Sequence, residues 1–207
     1  MATVRSRTEV LPSLPAGPLT LACALEVEER AARRAGARAA RVGLGAKLPL
    51  PDGQLVSFGL AGGLDPELRP GTLVTASKVV DVFGATLWEG EPLRVDGARP
   101  VVICAVDEVV TEPRERERLA RASGAAAVDM ESGALAASGR LAGVVRAISD
   151  SRDQLLGPFA FAANVDGSTR WSSVARAFLF HPVASLRTAL HARRAIGRIE
   201  RAAEALR

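Results

Sequence analysis

Aromatic residues are scarce in this sequence: they make up 4% of its 207 residues, and tyrosine is absent. A core with so few large rings must be built mainly from Ala, Val and Leu, which suits helices packed closely against a sheet. Long apolar runs are missing as well: no stretch approaches the roughly 20 apolar residues that a membrane span needs. Residues 1–18 also lack the apolar segment of a signal peptide. We therefore expect a soluble, cytoplasmic protein.

Cysteine and histidine are rare too, with two of each in the chain. Cys23 and Cys104 both lie in apolar runs, which predicts two buried thiols in a reducing compartment. The cysteines and histidines show no metal-ligand spacing, so we expect neither a metal ion nor a cofactor.

The net charge of +4 has a local origin. Residues 183–207 contain six arginines and two glutamates, which accounts for the whole excess. The rest of the chain is formally neutral, so the basic pI does not indicate a nucleic-acid-binding face. Apolar residues recur at helical spacing in the same segment, which predicts a basic C-terminal helix.

Predicted strands alternate with predicted helices along the chain. Apolar and β-branched runs predict strands at 19–25, 41–46, 54–60, 72–81, 100–106 and 144–148, and helices are expected at 26–39, 112–123, 130–140 and 182–207. This alternation favours a single domain spanning 1–207, of class α/β, built as a three-layer αβα sandwich around a mixed, twisted sheet.

Four short segments carry residues with possible chemistry. The glycine-rich stretch 59–63 follows a strand, so its backbone could approach a ligand closely or simply form a tight turn. Acidic side chains occur at Glu28, in Val128-Asp129-Met130-Glu131-Ser132 and at Ser149-Asp150, each near the predicted end of a strand. Ligands of open α/β sheets gather at the carboxyl ends of strands. The alternative is that these acids cap helices or lie in their first turns.

Taken together and in this order, the segments resemble the nucleoside phosphorylase and nucleosidase family, which includes purine nucleoside phosphorylase and methylthioadenosine nucleosidase. The matching stretches are ALEVE at 24–28, FGLAGGLDPELRPGTLV at 58–74, AAAVDMES at 125–132 and VVRAISDS at 144–151. The resemblance implies a mixed sheet flanked by helices, with a purine nucleoside pocket at the strand ends. We also expect a homodimer or a higher homo-oligomer.

The resemblance implies catalytic roles for two acids. Asp150 looks like the acid that donates a proton towards purine N7, with Ser149 beside it, and Glu28 looks like the base that orients and deprotonates the attacking water. Cleavage of the C1′–N9 bond passes through an oxocarbenium-like state and releases a purine that is a poor leaving group without a proton. An Asp can supply that proton only if its surroundings raise its pKa.

The resemblance also implies substrate contacts. Met130 and Glu131 look like the pair that packs under the ribose and binds its 2′-hydroxyl. The remaining predicted contacts are Ala61 and Gly62 of the glycine-rich stretch and Val109 and Val110 near the base.

The nucleophile and the substrate leave alternatives open. Leu60 stands where the family's phosphorylases carry Ser or Thr, and Glu28 would repel phosphate, so we favour hydrolysis over a phosphate-dependent phosphorylase. The tail 178–187 resembles phosphorylase-like proteins of hopanoid biosynthesis, which release adenine from adenosylhopane, and a basic last helix would suit peripheral membrane contact. The family's helix between Gly45 and Phe58 is missing, which leaves a non-catalytic nucleoside-binding relative as a third reading. Phe159, Phe161 and Trp171 are expected in a lid or in the core.

Overall fold

The computed structural model describes residues 18–151, 163–170, 172–174, 179 and 182–207. Its strands are β1 (Leu19–Cys23), β2 (Ala39–Arg41), β3 (Gln54–Gly63), β4 (Leu73–Val80), β5 (Thr86–Glu89), β6 (Ala98–Ala105), β7 (Ala127–Asp129) and β8 (Leu141–Asp150). Its helices are α1 (Glu26–Arg34), α2 (Pro113–Ser123), α3 (Ser132–Ala137) and α4 (Pro182–Glu204), with a 3₁₀ turn at Leu44–Ala46. Three aromatic residues expected in a lid or in the core lie outside the described residues: Phe159, Phe161 and Trp171.

The strands form one mixed sheet. β1 lies between β2 and β3 and is parallel to both. On its other side β3 pairs with β8, also in parallel. β8 then pairs with β4 in antiparallel fashion, β4 and β6 are parallel, β6 and β7 are parallel, and β7 returns antiparallel to β3. Five strands are therefore hydrogen-bonded in a closed ring. The carboxyl ends of β1, β3 and β8 share one edge of the sheet, because these strands run in the same direction.

Helices cover both faces of the sheet. On one face α1 and α4 pack through small side chains, including Ala32, Ala195 and Ile199, against Phe58 and Val145. On the other face Leu135 of α3 joins a second buried cluster with residues of β3, β4 and β8. Small aliphatics fill both interfaces, as the scarcity of aromatics predicts. The predicted three-layer α/β fold with a mixed sheet is confirmed.

Local signals explain where two of the helices begin and end. α1 has acids in its first turn and Arg33 and Arg34 in its last, which complements the helix dipole at both ends. α2 begins at Pro113, whose missing N–H costs nothing there, and it ends at Ser123, where the following Gly124 caps it with a φ of +67°. Among the described helices, none is long and apolar enough to cross a membrane.

Several predicted bounds were wrong. The helix expected at 26–39 ends at Arg34, because the chain must turn at Gly36 to enter β2 at Ala39. The strand expected at 41–46 is instead the end of β2 followed by the 3₁₀ turn, where Gly43 and Gly45 have positive φ. The helix expected at 130–140 is shortened to α3, since Met130 and Glu131 connect it to β7.

Candidate active site

A cavity of about 590 Å³ opens where β1, β3, β7 and β8 end. Its walls come from these strand ends, the first turn of α1, the segment 106–110, the segment 163–170 and one side of α4. All nine residues predicted from the sequence line this one cavity: Glu28, Ala61, Gly62, Val109, Val110, Met130, Glu131, Ser149 and Asp150. Their individual roles stay predictions, but the fold brings them together from five separate parts of the chain.

Glu28 lies in the first turn of α1, shortly after β1 ends at Cys23, and it is 1% exposed. Its Oε2 accepts a hydrogen bond from the backbone N–H of Leu25 at 2.9 Å, and its Oε1 accepts one from Leu60 at 2.8 Å. Burial raises the pKa of this carboxyl, while the Arg146 charge and the backbone donors oppose the rise. The result is a fixed carboxyl group whose raised pKa makes it a stronger base than a solvated glutamate.

Glu131 follows β7 and is also buried. Its Oε1 accepts from the backbone N–H of Gly45 at 3.1 Å, and its Oε2 accepts from Nη2 of Arg146 at 3.1 Å. Burial raises the pKa of Glu131 to about 7; Arg146 opposes this rise, and the charges of Asp129 and Glu28 add to it. A carboxylate held on both oxygens at the cavity wall can accept a hydrogen bond from a hydroxyl group of a ligand.

Arg146 connects this acidic group to the sheet. It is fully buried in β8, where Nε donates to Asp129 Oδ2 at 2.8 Å and Nη2 donates to Ser57 Oγ at 2.6 Å. Burial disfavours the charged guanidinium, but the carboxylates of Asp129, Glu131 and Glu28 outweigh that cost and raise the pKa of Arg146. Arg146 therefore remains a cation beneath three acids and holds two of them in place.

Asp150 ends β8 and is 2% exposed. Its Oδ1 accepts from Ser149 Oγ at 2.6 Å, and its Oδ2 is hydrogen-bonded to Nη2 of Arg116. Burial raises the pKa of Asp150, and the Arg116 charge lowers it in part. A carboxyl whose pKa is raised by burial can carry a proton to a basic atom of a ligand.

The glycine-rich stretch is neither a tight turn nor a free row of backbone donors. Residues 59–63 belong to β3, where Gly62 pairs with Asp150 on one side and with Val128 on the other. The N–H of Leu60 is already donated to Glu28. A Cβ on Gly62 would lie 3.1 Å from Val128 and 3.2 Å from Arg116, so glycine allows these groups to close around the cavity. The N–H of Leu60 is therefore not free for a ligand oxygen, and the ligand contacts expected at Ala61 and Gly62 stay predictions.

A short segment closes the cavity beside α1. The N–H of Glu26 donates to the carbonyl of Gly167 at 3.0 Å, and the N–H of Leu44 donates to Val165 at 3.0 Å. Gly167 lies so close to Ala24 that a Cβ there could not be accommodated. This contact attaches segment 163–170 across the end of β1 and completes the wall near Glu28.

Two arginines of the site were missed by the sequence reasoning. Arg116 sits among alternating charges in α2, a pattern typical of a solvated helix face, and Arg146 sits inside an apolar strand, where an ion pair could have been suspected. Only Arg146 could have been found from the sequence. It is a single charge in an apolar strand, and a buried guanidinium needs carboxylate partners. Among the described residues, no cluster of His, Cys, Asp and Glu could hold a metal ion.

Comparison with known proteins supports the fold. The sequence model of the phosphorylase superfamily matches residues 90–181. No curated protein matches the chain by sequence.

Solved nucleosidase structures are similar in fold to most of the chain. The 5′-methylthioadenosine/S-adenosylhomocysteine nucleosidase of Neisseria meningitidis, in complex with methylthio-immucillin-A, has 14% identity and a TM-score of 0.59, over 91% of this chain and 97% of that one. The enzyme of the same name from S. pneumoniae has 15% identity and a TM-score of 0.57, over 91% and 99%. Futalosine hydrolase of Helicobacter pylori has 14% identity and a TM-score of 0.53, over 83% and 96%.

Proposed function

We propose that this protein cleaves the N-ribosidic bond of a purine nucleoside, with water as the attacking group. The observation that carries the proposal is the meeting of Glu28, Glu131 and Asp150 around one cavity, each buried and each with a raised pKa. Burying three acids together costs free energy, and such costs are typical of functional sites. The similarity in fold to nucleosidases adds support.

The three acids divide the reaction between them. Asp150 donates a proton to the leaving purine, which makes the base a better leaving group. Glu131 accepts a hydrogen bond from the ribose and stabilises the positive charge that develops on the sugar. Glu28 takes a proton from the attacking water. The two backbone N–H groups on Glu28 fix its position, so the water is held in a defined orientation.

Water is favoured over phosphate because of the charges around the cavity. Glu28 and Glu131 are acids, and Arg116, one of the cations on the wall, is already paired with Asp150. Arg193 of α4 supports the alternative of a phosphorylase, since it lines the cavity and has no carboxylate partner among the described residues. Dependence of the reaction on phosphate distinguishes the two.

The substrate proposed is an adenine nucleoside on a bulky apolar carrier, such as adenosylhopane. Apolar side chains supply much of the cavity wall, including Val27, Leu44 and Ile196. Val27 is 41% exposed, so this wall reaches the surface, where a carrier could extend out of the cavity. The resemblance of the tail to the hopanoid-associated proteins motivates this choice.

A contact with anionic membranes belongs to the same proposal. Leu186 and Leu190 are 57% and 49% exposed on α4, and Arg194 and Arg201 follow on the same helical face beside a groove of about 720 Å³. Exposed leucines next to arginines suit an interfacial helix.

Vesicle sedimentation tests this contact. We expect the protein to sediment with phosphatidylglycerol vesicles but not with phosphatidylcholine vesicles. Replacing Arg194 and Arg201 by Ser is expected to abolish the sedimentation. Equal binding to both vesicles, or no binding, would contradict the membrane contact.

The reaction is tested by incubating the protein with adenosine, methylthioadenosine and adenosylhopane, with and without phosphate, and separating the products by chromatography. We expect adenine and a free sugar without phosphate, and loss of at least 100-fold in rate for Asp150→Asn, about the size of a general-acid contribution. Release of a ribose 1-phosphate only in the presence of phosphate would establish the phosphorylase. Nucleoside binding without turnover of any substrate would establish the non-catalytic alternative.

A further inference from the structure

Arg116 is a buried cation in a helix whose other arginines are exposed. Its side chain is 3% exposed, whereas that of Arg118, two residues on, is 76% exposed. Nε and Nη2 donate to the carbonyl of Val110 at 3.1 and 3.0 Å, and Nη1 donates to the carbonyl of Gly63 at 3.4 Å. Backbone groups of two separate segments therefore fix the guanidinium independently of Asp150.

The pairing leaves the two oxygens of Asp150 in different situations. Oδ2 faces Arg116, and a guanidinium can only donate, so a proton on Oδ2 would be repelled. Oδ1 faces Ser149 Oγ at 2.6 Å, and that hydroxyl is also 3.2 Å from the carbonyl of Ala61. A hydroxyl has one proton and can donate to one of these partners at a time. With Asp150 ionised, Ser149 donates to Oδ1; with Asp150 protonated, Oδ1 donates to Ser149, which then donates to Ala61.

We propose that Arg116 is the positioning residue of the general acid: it keeps the proton of Asp150 on Oδ1 and stabilises the carboxylate that remains after this proton has moved to the purine. The inference rests on the proposed function. In the step concerned, the proton passes from Oδ1 to the purine ring nitrogen, and the C1′–N9 electron pair passes to the purine. The water oxygen forms its bond to C1′ and gives its proton to Glu28.

Other charged groups surround Asp150 without contacting it. The same cavity is lined by four further acids and by one arginine of α4: Glu28, Glu108, Asp129, Glu131 and Arg193. Arg146, four residues earlier in β8, is paired with Asp129 and Glu131. Among the described residues, Arg116 is thus the charged group in contact with Asp150, and its removal changes that carboxyl most directly.

The test compares the pH dependence of kcat/KM for the wild type, Arg116→Met and Arg116→Lys, with Arg118→Met as the matched control on the same helix. A general acid must be protonated, so activity falls as the pH rises through its pKa. Losing the neighbouring cation raises that pKa by about 1 unit or more. For Arg116→Met we expect the alkaline limb to move upward by about this amount and kcat to fall roughly 10- to 100-fold. Arg116→Lys is expected to recover part of both, and Arg118→Met to match the wild type.

A folded Arg116→Met protein with an unshifted alkaline limb would overturn the inference, even if kcat were lower, because a purely structural arginine would slow the enzyme without moving the pKa. If Arg116→Met does not fold, Arg116→Gln, which also removes the charge, takes its place in the same measurement; an unshifted alkaline limb in that variant overturns the inference. Failure of the proposed function is separate: there the wild type itself cleaves no nucleoside, or Asp150→Asn remains active.

Discussion

Gly59 lies directly against the carboxylate of Glu28: a Cβ at position 59 would stand 2.5 Å from Oε1 and 2.7 Å from Oε2. Real Cβ atoms do not approach oxygen so closely, so one of the two groups would have to move. β3 is buried here and paired with β8, so its backbone cannot shift easily. The side chain of Glu28 is therefore the group that would move. The position of the proposed base is therefore set by the absence of a side chain on the neighbouring strand.

Gly59→Ala is expected to displace Glu28 and slow hydrolysis at least tenfold, a loss of about 1.4 kcal/mol in transition-state stabilisation. The measurement is kcat/KM together with circular dichroism to follow the fold. Gly197→Ala, in α4, is the matched control, because a Cβ there meets nothing within 4 Å. An active Gly59→Ala enzyme would mean that Glu28 does not need its observed position.

Glu28→Gln is expected to lower kcat by roughly 100- to 10,000-fold while adenine binding is retained. Both carboxylate oxygens accept backbone N–H groups, so the amide NH₂ of Gln must face one of these donors. That conflict is expected to lower the free energy of unfolding by about 1–3 kcal/mol. Calorimetry with adenine and urea denaturation separate the two effects. Unchanged kcat would remove Glu28 from the mechanism.

Glu131 is expected to make the protein more stable at pH 5 than at pH 7.5. Its pKa is raised to about 7 in the folded state, above the value of about 4.3 for an unperturbed Glu. Between these values the folded state binds more protons than the unfolded state, so the free energy of unfolding falls as the pH rises and levels off above 7. The fall due to this group is on the order of 1 kcal/mol or more.

Urea denaturation at several pH values measures this effect. Glu28 and Asp150 also have raised pKa values and add slopes of the same sign. The comparison is therefore with Glu131→Gln, in which the decline between pH 5 and 7.5 is expected to be shallower. Identical slopes in the two proteins would show that Glu131 does not titrate in this range.

Arg146→Met is expected to destabilise the protein by about 3–5 kcal/mol, because it leaves Asp129 and Glu131 buried without their cation. Thermal and urea unfolding measure the loss. Arg140→Met is the comparison. Arg140 lies directly before β8, and its guanidinium donates a hydrogen bond to the backbone carbonyl of Pro51 and not to a buried acid. If the two variants lost equal stability, the buried ion pairs would not be what holds the acids in place.

The sequence predicted the long elements and the set of cavity residues better than the contacts among them. β3, β4, β6 and β8 are long apolar runs, and their periodicity and length are visible without a structure. β5 and β7, of four and three residues, were missed because strands this short carry no periodicity. Their hydrogen bonds come from neighbours far away in the sequence.

The electrostatics of the site depended even more on tertiary structure. Arg116 belongs to the run Pro113-Arg-Glu-Arg-Glu-Arg, and nothing local distinguishes it from the exposed Arg118. It is buried because the end of β8 and the segment before α2 meet at its position. Asp150 could therefore be predicted as an acid near a strand end, while the cation that sets its acidity could not.

β8 is hydrogen-bonded to β3 along one edge and to β4 along the other, and it carries both Arg146 and Asp150. Inserting or deleting one residue between Arg146 and Asp150 would turn one of these side chains to the opposite face of the sheet relative to the other. Laboratory evolution towards new substrates is therefore expected to find no tolerated length changes between 141 and 150.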